Sequence, residues 1–102
     1  MQISDDAIEY ISEEIKQHGN LVIVIYNVHM KGGWWGEHSK IQIKLIENPF
    51  THDLIWKNIE FAPIIVEKCP CKTYVDKNIE SNIQMLRIDV VNIGMYQQLG
   101  LK

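Results

Sequence analysis

Cysteine is scarce in this sequence: Cys69 and Cys71 are the only two among 102 residues, too few for the disulfide framework that staples small secreted domains. Positive charge is also limited. Ten basic residues stand against thirteen acidic ones, for a formal charge of -3, and they are scattered along the chain. That excludes the clustered Lys and Arg by which a protein displaces counterions from nucleic acid or holds an anionic membrane. No apolar run approaches the ~18 residues of a membrane-spanning helix, and Asp5 and Asp6 stand where a signal peptide would carry positive charge. The expectation is a soluble, cytoplasmic protein. Dinucleotide-binding glycine fingerprints, phosphate loops, nucleophile elbows and metalloprotease helices are missing too, so nothing in the sequence assigns an enzymatic activity.

What is present predicts one domain over residues 1–102. With 46% apolar residues, a chain of this length buries around two-thirds of its unfolded surface about a single core. Ser4, followed by Asp5 and Asp6, has the chemistry of a helix start: a hydroxyl to cap free amides, then carboxylates at the positive end of the dipole. Ile3 and Ile8 are spaced for a hydrophobic staple. Ala7, Ile8, Ile11 and Ile15 keep one face apolar as far as Gly19, which predicts an amphipathic helix over residues 4–18. His18 at its C-terminal end suits the dipole.

The remainder reads as strand. Leu21–Val28 is almost continuously apolar and rich in Val and Ile, the pattern of a central strand covered on both faces. Glycines 32, 33 and 36 mark a turn, and residues 40–46 then alternate, with Ile41, Ile43 and Leu45 on one side, so the two runs predict a hairpin. Asn48-Pro49 breaks the pattern, and Thr51–Lys57 is expected as a loop or short helical turn. Ile59–Val66 resumes as a strand that Pro63 confines to an edge or a bulge. Lys72–Asp76 and the alternation of Leu86, Ile88 and Val90 give two more strands, and Gly94 begins a tail. One helix followed by several strands predicts an α+β fold, the helix packed on a mainly antiparallel sheet or sandwich.

Cys69-Pro70-Cys71 is the one obviously reactive constellation. In an extended chain residues i and i+2 point to one face, with Cα atoms roughly 6.5–7 Å apart, so the two thiols are expected to emerge together. A rigid proline between them preorganises a chelate, and Lys68 and Lys72 are placed to lower the thiol pKa values. Two thiolates are nonetheless half of the four-ligand set of a structural zinc or an iron–sulfur cluster. The plain alternative is two small residues at a strand entrance.

His29 and His38, at either end of the glycine-rich turn, are candidates to add nitrogen ligands and complete a Cys2His2 set, against a role as turn or surface histidines. Trp34 and Trp35, set in glycines, either anchor a partner or cover the core. Asp76 and Asp89 are expected on solvated strand faces and not as a catalytic pair.

The order of elements, with Ile3-Ser4-Asp5-Asp6-Ala7 at the start and Tyr74-Val75-Asp76, Ser81 and Ile88-Asp89 later, resembles the HesB-like domain of A-type iron–sulfur carriers. That family opens on a similar Ile-Thr-acidic-x-Ala motif and carries Val-Val-Asp and Ile-Asp stretches. Its glycine turn normally supplies the first cluster cysteine. Here Gly32-Gly33-Trp34-Trp35-Gly36 stands in that place without one, and the family's C-terminal Cys-Gly-Cys has no counterpart before Lys102. The resemblance implies the fold and an iron–sulfur or soft-metal cofactor; Cys69 and Cys71 would then be a relocated thiol site on the scaffold.

Three functional readings follow. In the first, Cys69 and Cys71 bind an iron–sulfur cluster or another soft metal, with a homodimer supplying four thiolates and a protein partner in iron–sulfur or sulfur metabolism. In the second the same pair cycles between dithiol and disulfide or handles sulfur. The third is a metal-free scaffold that binds a protein through Trp34 and Trp35.

Overall fold

The computed structural model of the chain describes residues 1–32, 36–48 and 59–102, with residues 29–32 and 36–39 described by their backbone alone. A short strand β1 (Gln2–Ile3) precedes helix α1 (Asp5–His18); strands β2 (Leu21–Gly32) and β3 (Gly36–Glu47) follow, then β4 (Phe61–Ile64) and β5 (Thr73–Asp76). A 3-10 helix at Lys77–Asn82 leads into β6 (Arg87–Ile93) and β7 (Tyr96–Leu101). The strands form two sheets, of order β3-β2-β5-β4 and β1-β6-β7. Pairing is mainly antiparallel, with β2–β5 and β1–β6 parallel. The fold is therefore α+β, as the sequence predicts.

Helix α1 starts where its chemistry says it should. The Ser4 hydroxyl accepts a hydrogen bond from the Ala7 amide at 3.1 Å, and the amide of Gly19, at φ 85°, closes the other end on the Ile15 carbonyl. Ala7 and Ile11 are fully buried against the main core. Lys16 and His18 sit in the last turn, where positive charge opposes the dipole, and His18 lies 3.4 Å from Glu14.

Strand β2 is the central element. It has neighbours on both edges, and alternate residues serve two cores: Ile23 and Ile25 enter the cluster with α1, Val75, Ile83 and Ile88, while Val22, Val24 and Tyr26 form a second cluster on the opposite face. This explains why the run is continuously apolar. Pro63 lies in β4, the edge strand, where its missing N–H costs no ladder bond.

Four expectations change. The strand expected over Ile59–Val66 is shorter, Phe61–Ile64. Ile3, expected only as a staple residue before the cap, is also a strand residue, pairing in β1 with Ile88. Gly94 begins no tail: with Met95 it forms the two-residue loop between β6 and β7, Ile93 pairing with Tyr96. Gly94 takes φ 60°, the left-handed value that a Gly-first hairpin loop needs. Asp76, finally, is 6% exposed, because its carboxylate caps the 3-10 helix by accepting from the Asn78 amide at 2.9 Å. The loop expected at Thr51–Lys57 lies outside the described residues. No described helix is long and apolar enough to cross a membrane.

Asp89 joins the helix start to the second sheet. Its carboxylate accepts from the Ser4 hydroxyl at 2.8 Å and the Val90 amide at 2.8 Å, with Arg87 and Lys102 each 3.4 Å away. The Ser4 hydroxyl is the main cause of a pKa held down at about 2. A carboxylate lowered in the folded state adds stability that is present above its unfolded value of ~3.9 and is lost as pH falls toward 2. Ser4→Ala removes both the cap and this bond. Loss of the cap alone should cost about 1 kcal/mol at pH 7, and the gap between urea titrations of the two proteins should narrow as pH falls from about 4 to about 2, leaving the cap's share.

Candidate thiol site

The chain reverses after β4 through a turn in which the Cys69 amide donates to the Val66 carbonyl at 3.2 Å. Lys68 occupies its left-handed position at φ 69°, a conformation that costs a non-glycine residue about 1 kcal/mol. Exposed Pro70 follows, and β5 begins only at Thr73. Cys69 and Cys71 thus sit in a turn and not on the expected extended run. They still meet, but because the turn folds them together and not because of strand alternation.

Strand β5 anchors the site. Thr73 is 2% exposed and pairs with Ile23 of β2 and Ile64 of β4, while the Ile23 amide donates to the Lys72 carbonyl at 2.9 Å. Both cysteines are half-buried free thiols packed on the main core. The Cys69 sulfur lies 3.8 Å from the Thr73 hydroxyl. Thr73 is the residue sequence reasoning passed over; its position two residues after Cys71, at the mouth of a strand, was the available signal.

The two thiols form a hydrogen-bonded pair. The Cys71 thiol, joined by the Cys71 amide and the Thr73 hydroxyl, holds the Cys69 pKa down at about 6, against the opposing effect of burial. The same bond, then burial and the Cys69 charge, push the Cys71 pKa far above the ordinary thiol range. The two shifts run in opposite directions, so at neutral pH Cys69 is the thiolate and Cys71 the thiol. Hydrogen bonding produces this, in place of the flanking lysine charge expected from Lys68 and Lys72. A cavity of about 350 Å³ lies beside Cys71, bounded by Pro70, Lys72, Gly19 and Asn20.

Among the described residues no group of three or more His, Cys, Asp or Glu is arranged to hold a metal ion. The β2–β3 register pairs His29 with Ser39 and Met30 with His38, so the two histidines are one step apart and not cross-strand partners. Their side chains, and the whole of Trp34 and Trp35, lie outside the described residues.

Solved structures share this architecture. The chain resembles SufA of Escherichia coli, a protein involved in the biosynthesis of iron–sulfur clusters, at a TM-score of 0.55 and 14% identity; the match covers 99% of this chain and 82% of SufA. It also resembles IscA, whose structure holds a [2Fe-2S] cluster, at a TM-score of 0.53 and 11% identity, covering 100% of this chain and 84% of IscA. No family profile and no curated protein sequence matches the chain. The class defined here is a HesB-like α+β fold carrying a thiol pair in the turn before β5.

Proposed function

We propose that this HesB-like protein binds an iron–sulfur cluster or another soft metal through the thiolates of Cys69 and Cys71, a second copy of the chain supplying the other two ligands. The observation that carries the reading is the pair of half-buried free thiols, two residues apart in the turn before β5 and both packed on the main core. Two sulfurs at about 2.3 Å from one tetrahedral ion lie about 3.8 Å apart, the separation the two thiolates would take up on chelation. Ionised Cys69 meets the requirement for a deprotonated ligand at neutral pH, and the metal's charge would draw off the remaining Cys71 proton.

The donor set fits half of a four-ligand site. A two-fold dimer turns two thiolates into four, which is the arithmetic of a cluster or a structural metal. The likeness to SufA and IscA supports the kind of cargo. Cytoplasmic location and a partner in iron–sulfur or sulfur metabolism accompany this reading. Anaerobic incubation with ferrous iron and sulfide should give a coloured protein whose visible spectrum is lost in the Cys69→Ser/Cys71→Ser variant. A colourless, metal-free product from the unaltered chain would refute it.

The unequal protonation of the two thiols supports a second reading as a dithiol redox pair. The Cys69 thiolate would attack a small-molecule disulfide, expelling one thiolate, and Cys71 would then displace the second, its own proton leaving to solvent. Two electrons pass to the external disulfide. Titration against a graded glutathione buffer should show a two-electron transition that Cys71→Ser abolishes, and absence of any transition would exclude it.

A further inference from the structure

The β6–β7 hairpin exposes large apolar side chains at its tip: Met95 is 100% exposed, Tyr96 68% and Ile93 46%. An apolar patch rimmed by polar groups on a small protein marks a contact surface, and Met and Tyr are enriched at such contacts. Between this tip and α1 lies a groove of about 980 Å³. Asp6, Glu9, Glu13 and Glu14 line its helix side, Met95 and Tyr96 its hairpin side, and no Lys, Arg or His lines it among the described residues.

The carboxylates are ordered. Asp6, Glu9 and Glu13 follow one another at steps of three and four, so they form one stripe running about 10 Å along the helix axis. Asp6 and Glu9 have no cationic partner among the described residues, while Glu13 and Glu14 meet Lys16 and His18. Such a wall repels nucleic acid and anionic lipid and attracts a cationic segment with a matching repeat. The apolar tip opposite asks for a partner with an apolar face.

We propose that this groove docks a basic amphipathic helix of a partner protein, its Lys and Arg side chains along the α1 carboxylates and its apolar face on Met95 and Tyr96. The surface is separate from the thiol site, whose cavity shares none of its lining residues. The reading therefore stands or falls independently of metal binding.

The test titrates the isotope-labelled full chain with a 14-residue peptide, two repeats of Leu-Lys-Lys-Leu-Leu-Lys-Leu, and with its Glu-for-Lys counterpart. Saturable binding of the basic peptide should perturb amide signals of residues 6–17 and 90–97 and leave those of Cys69 and Cys71 in place, while the acidic peptide does not bind. Glu9→Gln/Glu13→Gln should weaken affinity about five-fold, the effect of two exposed ion pairs. Raising salt from about 0.05 M to about 0.3 M should weaken the unaltered chain similarly. Met95→Ser/Tyr96→Ser should weaken it further in a chain whose other amide signals stay dispersed. No saturable binding, equal binding of the acidic peptide, or perturbations centred elsewhere would overturn the proposal. Salt dependence with no effect of the Met95 and Tyr96 change would overturn it too, as attraction without docking.

Discussion

Cys69 in the folded, reduced chain should be alkylated by limiting iodoacetamide at pH 7 at least a hundred times faster than Cys71. At about 6 its pKa leaves most of Cys69 as thiolate at neutral pH, whereas Cys71, its pKa raised, keeps its proton there. The thiolate alone is the nucleophile. The rate at Cys69 should be flat above pH 7 and fall about ten-fold per unit below pH 6. Cys71→Ala deletes the largest contributor to the low value, so the midpoint should move toward the ordinary ~8.5 and the thiolate fraction at pH 7 should drop about thirty-fold. Thr73→Val removes a smaller contributor and should move it less. Mass spectrometry of the modified peptides reads each site separately. Equal rates at both cysteines would show that they do not differ in protonation, and the preorganised chelate would fail with it.

Ile23→Ala should destabilise the fold by about 3–4 kcal/mol. Ile23 is 0% exposed near the start of the central strand, with Leu45 of β3 on one side and Thr73 of β5 on the other. Its side chain lies in the cluster that joins α1 to both sheets, where neighbouring elements cannot easily collapse into a void. Against a total of about 5–10 kcal/mol for a chain of this size, the melting temperature should fall by roughly 15–25 °C. Ile65→Ala, at a side chain 92% exposed, should stay within about 0.5 kcal/mol. A loss below about 1 kcal/mol at Ile23 would mean that β2 is not the strand on which the two faces are built.

Much of the architecture is legible in local chemistry. Ser4, Asp5 and Asp6 mark the start of α1 because capping is a short-range interaction, and β2 declares itself because both of its faces are covered. Pro63 falls on an edge strand for want of an N–H. Strand β7 was not legible. Tyr96-Gln97-Gln98-Leu99-Gly100-Leu101 contains no β-branched residue, and its pairing is dictated by β6 across the Gly94-Met95 loop. Two-residue β1 is too short to carry a period at all.

The thiol site was legible in composition and not in geometry. Strand alternation is the wrong reason for the meeting of Cys69 and Cys71, since a turn with Lys68 in the left-handed region brings them together. The difference in protonation between them depends on burial, on their own amides and on Thr73, none of which a spacing reveals. The Ser4–Asp89 bond joins residues 85 apart in sequence, so no local pattern announces it.

Native mass spectrometry of the anaerobically reconstituted chain tests the central claim most directly. The prediction is a dimer carrying one metal centre or cluster held by four cysteines, Cys69 and Cys71 from each copy, with the Cys69→Ser/Cys71→Ser variant metal-free. A reconstituted chain without metal, or a double variant that binds as much as the unaltered protein, would contradict it.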